Sequence, residues 1–180
     1  EFRKIDVNTP VVLMGYANPV EALGYEAFAS KAKKCGVDGI LIVDYPPEES
    51  GEWVECLNEY GIDAIFLLSP TTPKSRIEHV AKLAKGYVYY VSLKGVTGAS
   101  HLDLENVNMM LKELRPHIAI PIGVGFGIRD GATARAVANL ADAVVIGSRI
   151  IEEIEHAKQD DLLAKVGLLL TSFRKAMDEH

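Results

Sequence analysis

The sequence has only two cysteines, Cys35 and Cys56, and they match neither a zinc nor a redox spacing. They read as free thiols of a cytoplasmic protein. The five histidines are scattered, with no HxH or HExxH grouping, so a metal site has no support. No apolar run reaches the roughly 18 residues of a membrane span, and no signal peptide is visible. A basic surplus is missing too. The net charge of −6 and pI near 5.4 argue against a nucleic-acid surface. No Gly-x-Gly-x-x-Gly opens the first strand–helix unit, which weakens a dinucleotide-binding reading. No Ser/His/Asp arrangement or carboxylate pair stands out at the predicted strand ends.

What is present is an ordinary soluble composition. The 180 residues are 48% hydrophobic and 24% charged, with a mean hydropathy of +0.10, enough for one sizeable core. Short β-branched runs, apolar as parallel strands buried on both faces must be, alternate with helical periodicity. Strands are predicted at 9–14, 39–44, 63–68, 87–92, 120–124 and 143–146. Helices are predicted near 24–35, 48–60, 74–84, 103–114 and 130–140, then over 149–177 with a break near 159–161. Residues 15–19 read as a turn, and Gly36 and Gly61 as helix stops. The alternation implies a parallel sheet with right-handed crossovers, and its strict repetition favours a (β/α)8 barrel over a doubly wound sheet. A complete barrel needs about 200–250 residues. The six units, with the uncapped helix-like opening at 1–6, lead us to expect one N-terminally incomplete barrel domain over 1–180, about two units short.

In such barrels the chemistry gathers at the carboxyl ends of the strands. Two neighbouring ends, Gly125-Phe126-Gly127 and Gly147-Ser148, are each followed by a helix. Small residues let backbone approach a ligand, and the next helix offers free N–H groups to an anion. The pair reads as a phosphate clamp, or more simply as tight turns. Tyr16 and Tyr89 can donate hydrogen bonds to a substrate or merely pack. Asp44 can act in catalysis or cap a turn. Arg149 can help with phosphate or stay solvated, and His101 is expected to be exposed. The loop 93–101, with Gly95 and Gly98, reads as a lid or as a plain surface loop.

These residues carry a pattern that resembles the tryptophan synthase α subunit. Val12-Leu13-Met14-Gly15-Tyr16-Ala17-Asn18-Pro19, Asp44-Tyr45-Pro46-Pro47-Glu48-Glu49, Gly95-Val96-Thr97-Gly98, Gly125-Phe126-Gly127-Ile128 and Gly147-Ser148 occur in that order. The resemblance implies a barrel that cleaves indole-3-glycerol phosphate to indole and glyceraldehyde 3-phosphate without an organic cofactor. It also implies pairing with a pyridoxal-phosphate-dependent β subunit in an α2β2 heterotetramer. By position, Gly98, Gly127, Gly147 and Ser148 would bind the phosphate. Phe126, Tyr16, Met14, Leu67 and Val145 would line the indole and glycerol pocket, with Tyr89 near the substrate. Thr97 would bond an active-site aspartate, and Asn18 and Pro46 would face the β subunit. The family's two essential carboxylates belong to a unit expected upstream of Glu1, so the 180 residues alone are expected to be inactive. Where the family often has Ser-Arg-x-Gly, this chain has Ser92-Leu93-Lys94-Gly95. The competing readings are another phosphate-binding barrel enzyme and an inactive assembly fragment.

Overall fold

The computed structural model describes residues 1–92, 103–125 and 127–179. Its contacts divide the chain into two compact units. The first comprises Glu1–Leu68, Thr72–Val88 and His117–Ile120; the second comprises Ser69–Thr71, Tyr89–Pro116 and Pro121–His180.

The first unit opens with a 3₁₀ turn, Phe2–Lys4, followed by β1 (Val12–Gly15), β2 (Gly39–Ile42) and β3 (Asp63–Leu68). These strands pair in parallel, Val12 opposite Gly39 and Gly39 opposite Asp63. β2 and β3 are buried on both faces, as Ile40, Leu41, Ala64, Ile65, Phe66 and Leu68 require. β1 departs from this. Leu13 and Met14 are exposed, Met14 by 60%, so the expectation of a buried first strand fails. Apolar composition marks a strand's tendency to be covered, and the described residues do not cover both faces here.

The predicted turn at 15–19 is also corrected, because the chain there enters a further helix, α1 (Ala17–Leu23). The helix predicted near 24–35 is α2 (Tyr25–Lys34), separated from α1 by Gly24 at φ +83°. Pro19 lies in the first turn of α1, where its missing N–H removes no helical bond. The next predicted helix, 48–60, begins instead with a 3₁₀ turn at Pro47–Glu49 and becomes α3 (Gly51–Glu59). Trp53 sits at its centre, 3% exposed, with Tyr25, Phe28 and Tyr45 ringed around it at centroid distances of 5.3–6.3 Å. α4 (Lys74–Leu83) buries Ile77 and Val80.

The strand β4 (Val88–Val91) has its first residue, Val88, in the first unit and the rest in the second. α5 (Leu104–Leu114), β5 (Ile122–Gly125), α6 (Gly131–Ala138), β6 (Ala143–Val145), α7 (Ser148–His156) and α8 (Leu162–Asp178) follow. β5 and β6 pair in parallel, with Gly123 opposite Ala143. β5 is buried throughout, whereas β6 is only half-buried, again short of the expected burial. The break predicted near 159–161 is present between α7 and α8. Val107, Leu111, Leu114, Ile122, Val124, Ala134, Val137 and Phe173 form the apolar interior of this unit.

Each unit fastens the start of a strand in the same manner. Asp38, just before β2, accepts from Val11 N at 2.7 Å and pairs with Arg3 at 2.5 Å. Asp142, just before β6, accepts from Ile122 N at 2.9 Å and pairs with Arg115 at 3.2 Å. In both, the backbone N–H bond is the largest cause holding the carboxyl below its usual range, with arginine adding to it.

Candidate functional site

At the carboxyl ends of β4, β5 and β6 the second unit holds a cavity of about 170 Å3. It is lined by Tyr89, Gly127, Ile128, Arg129, Val145, Gly147 and Ser148. Five of the residues singled out in the sequence, Tyr89, Gly127, Val145, Gly147 and Ser148, therefore come together. Tyr16 belongs to the first unit, where it precedes α1 and is 64% exposed. Met14 is exposed and Leu67 half-buried in that unit. Thr97, Gly98 and Phe126 lie outside the described residues, as do the lid-like loop and His101.

The glycines have different local reasons. Gly125 is the last residue of β5, and a Cβ there would lie 2.6 Å from Tyr89 Cε2. Its carbonyl accepts from both Ser92 N, at 3.0 Å, and Ser92 Oγ, at 2.9 Å. Gly125 thus gives the Tyr89 ring its place beside the cavity instead of opening the cavity itself. Gly127 adopts φ +75°, the left-handed region, and nothing lies within 4 Å of where its Cβ would be. The same open space surrounds the position of a Cβ at Gly147.

Gly147 is also the N-cap of α7, and no side chain caps that helix. By contrast, Asp103 caps α5 through Asn106 N at 3.1 Å, and Asp130 caps α6 through Thr133 N at 2.8 Å. In the first turn of α7, Ile150 N donates to Gly147 O at 2.9 Å, and the N–H groups of Ser148 and Arg149 are left to the cavity or to solvent, with the positive end of the helix dipole behind them. Their arrangement can accept a small anion by backbone alone.

The other candidates resolve differently. Asp44 is exposed, and its Oδ1 accepts from Ala17 N at 2.7 Å, so it supports the first turn of α1. The bond reaches α1 and not the turn beside Asp44 that the sequence offered as the alternative to catalysis. Arg149 is bound to Glu153 at 2.7 Å. The residue that sequence reasoning missed is Arg129, which follows Ile128 directly and lines the cavity. A cation next to the glycine motif was the available signal. Among the described residues no group of three or more His, Cys, Asp or Glu could hold a metal, and no helix is long and apolar enough to cross a membrane.

Parallel βα units with a glycine-built cavity at their strand ends define a barrel-type α/β protein, a class whose ligands bind at the carboxyl ends of the strands. A family model described as tryptophan synthase alpha chain matches residues 1–177. The chain belongs to that family. The tryptophan synthase alpha chain of Nitrosomonas europaea is 68% identical over 178 residues, which is 99% of this chain and 65% of the relative. This chain therefore spans about 65% of that relative's length. A crystal structure of tryptophan synthase subunit alpha from Legionella pneumophila matches with a TM-score of 0.90 at 40% identity. That match covers 98% of this chain and 66% of the other. A structure of the tryptophan synthase a2b2 complex from Pyrococcus furiosus gives a TM-score of 0.81 at 34% identity, covering 94% and 70% of the two chains. The fold is accordingly that of a (β/α)8 barrel, of which six βα units are present in this chain.

Proposed function

We propose that this chain carries the phosphate-binding part of a carbon–carbon lyase that converts indole-3-glycerol phosphate to indole and glyceraldehyde 3-phosphate in tryptophan synthesis. The observation that carries the reading is the meeting of Tyr89, Gly127, Val145, Gly147 and Ser148 around one cavity in a member of this family. Backbone N–H groups of Gly127, Gly147 and Ser148 bind the phosphate, and Gly98 joins them. Tyr89 and Val145 flank the glycerol and indole portion, together with Tyr16 and Phe126. Thr97 holds an active-site carboxylate in place. The family model runs as one stretch over 1–177, which supports a single barrel domain.

The cleavage is a retro-aldol reaction. The glycerol C3 hydroxyl gives its proton to a base, and its oxygen becomes the aldehyde oxygen of glyceraldehyde 3-phosphate. The bond from that carbon to indole C3 breaks, its electron pair stays with the indole ring, and an acid protonates indole C3. A further group manages the indole N–H proton. The described residues lining the cavity include no carboxylate; Tyr89 and Arg129 are their only titratable groups. We infer that the chain on its own binds phosphate weakly at best and does not turn over substrate. A β subunit, as in the a2b2 complex named for Pyrococcus furiosus, is the partner, and the site of action is the cytoplasm.

The test is indole release from indole-3-glycerol phosphate by the 180-residue chain, with and without a β subunit, beside a titration of glycerol 3-phosphate followed by the amide resonances of Gly127, Gly147 and Ser148. The reading expects shifts at those amides and no indole. Indole release by the chain alone would overturn the assignment of proton transfer to other groups, and silent amides would overturn the phosphate site.

A further inference from the structure

We infer that Arg129 is a phosphate-binding residue of this cavity, supplying the one full positive charge against the anion that the glycines hold through backbone. The inference rests on the phosphate reading of the cavity and adds a side chain that the resemblance does not assign.

The charge inventory of the cavity carries the argument. Of the described lining residues, Arg129 alone is a cation, and none is an acid. Among the described residues Arg129 has no carboxylate partner. Its sequence neighbour Asp130 is occupied elsewhere, with Oδ1 on Thr133 N at 2.8 Å and its carboxyl held below the usual range chiefly by that bond. Arg149 stands one residue beyond Ser148, but its guanidinium is bound to Glu153 at 2.7 Å. Two arginines thus lie near the glycines, and only one has an uncommitted charge.

A guanidinium with no carboxylate partner among the described residues, at a cavity whose other described lining residues are neutral, suits a phosphate monoester better than a carboxylate or a neutral sugar. It is planar, always charged, and offers paired N–H donors that match two phosphate oxygens. A phosphate group near pH 8 carries close to two negative charges, since its second pKa is about 6. Backbone donors supply partial charges only, so the full charge on Arg129 adds selectivity for the dianion. Arg129 is exposed, so replacing it leaves the interior of the unit intact.

The 180-residue chain, uniformly 15N-labelled, is titrated with inorganic phosphate and separately with glycerol 3-phosphate at pH 8 and constant low ionic strength, because salt screens such contacts. Dissociation constants come from the amides of Gly127, Gly147 and Ser148. Arg129→Gln is expected to weaken both ligands about tenfold or more, the usual effect of removing a charge-assisted hydrogen bond. Arg129→Lys keeps part of the affinity, and Arg149→Gln changes it less than about twofold, the scale of an exposed, screened charge. If the wild-type chain binds and Arg129→Gln binds equally well, the inference is wrong while the glycine site stands. If Arg149→Gln weakens binding as much as Arg129→Gln, the effect is a general field and the assignment to Arg129 is overturned. If the wild-type chain shows no response, the phosphate reading itself fails, and Arg129 with it.

Discussion

A Cβ at position 125 would run into the ring of Tyr89, and the three atoms nearest to it all belong to that ring. Gly125 is no freer to move than the ring is, because its carbonyl holds Ser92 through both N and Oγ. Gly125→Ala therefore forces Tyr89 off its place beside the cavity. Overpacking of this kind costs about 1–3 kcal/mol. Against it stands the chain-entropy gain of replacing a strand glycine by alanine, roughly 0.5–1 kcal/mol. The single variant should lose up to about 2.5 kcal/mol net. In a Tyr89→Ala background the obstacle is gone, and adding Gly125→Ala should be neutral or stabilising. The coupling between the two sites then reports the collision alone, about 1–3 kcal/mol. Urea denaturation of the wild type, both single variants and the double variant measures it, with Tyr89 ring resonances followed in parallel. A coupling under about 0.5 kcal/mol with unmoved ring resonances would refute the packing of Tyr89 over Gly125.

Other outcomes follow from the same structure. Tyr90 is 0% exposed, its hydroxyl has no hydrogen-bond partner among the described residues, and burial first, then Glu113, pushes its phenol up to about 12. Tyr90→Phe should stabilise the chain by about 1 kcal/mol in denaturation, and a comparable loss would show that the hydroxyl is bonded in solution. Asp142→Ala should cost about 1–2 kcal/mol by freeing Ile122 N–H. Because its folded carboxyl titrates below the unfolded one, the contribution is complete above the unfolded value near 4 and fades as pH falls through the folded value. Stability of Asp142→Asn should hence vary less with pH below about 4 than that of the wild type, and identical slopes would count against the latch. Gly127→Ala should cost about 1 kcal/mol from its φ of +75° alone and weaken phosphate binding, since a methyl enters the open space. Undiminished binding would place the anion elsewhere.

The alternation of strands and helices was legible because a buried parallel strand must be apolar on both faces, as in β2, β3 and β5. β1 and β6 carry the same signature and are not buried, for composition records what a segment needs and not what surrounds it. The first helix was misread for a local reason. Gly15-Tyr16-Ala17-Asn18-Pro19 has turn composition, yet proline is tolerated in a first helical turn, and the N–H that starts α1 is satisfied by Asp44, 27 residues away. No local rule reveals a partner at that distance. The glycine corner was legible since a site built from backbone writes itself into the sequence as missing side chains. What the glycines do individually was not: Gly125 makes room for Tyr89, while Gly127 and Gly147 face open space. Arg129 escaped notice because a single arginine at a helix approach reads as a solvated residue until its carboxylates are counted.

The two ends of the strands are built from opposite materials, and this accounts for how a binding corner and a stable fold coexist. At the amino ends, Asp38 with Arg3 and Asp142 with Arg115 tie side chains to the first N–H groups of the strands. Such bonds fix strand positions and present nothing to a ligand. At the carboxyl ends of β5 and β6 the chain gives up side chains, leaving Gly127, Gly147 and an uncapped α7. The N–H groups there that no side chain caps face solvent in the free chain, and an anion that meets them in the proposed site stabilises the fold. Capping α7 with an aspartate would occupy the corner with a fixed carboxylate. Within the second unit the Asp142–Arg115 latch ties down the strand starts with no help from the corner, which is what the proposed anion site requires.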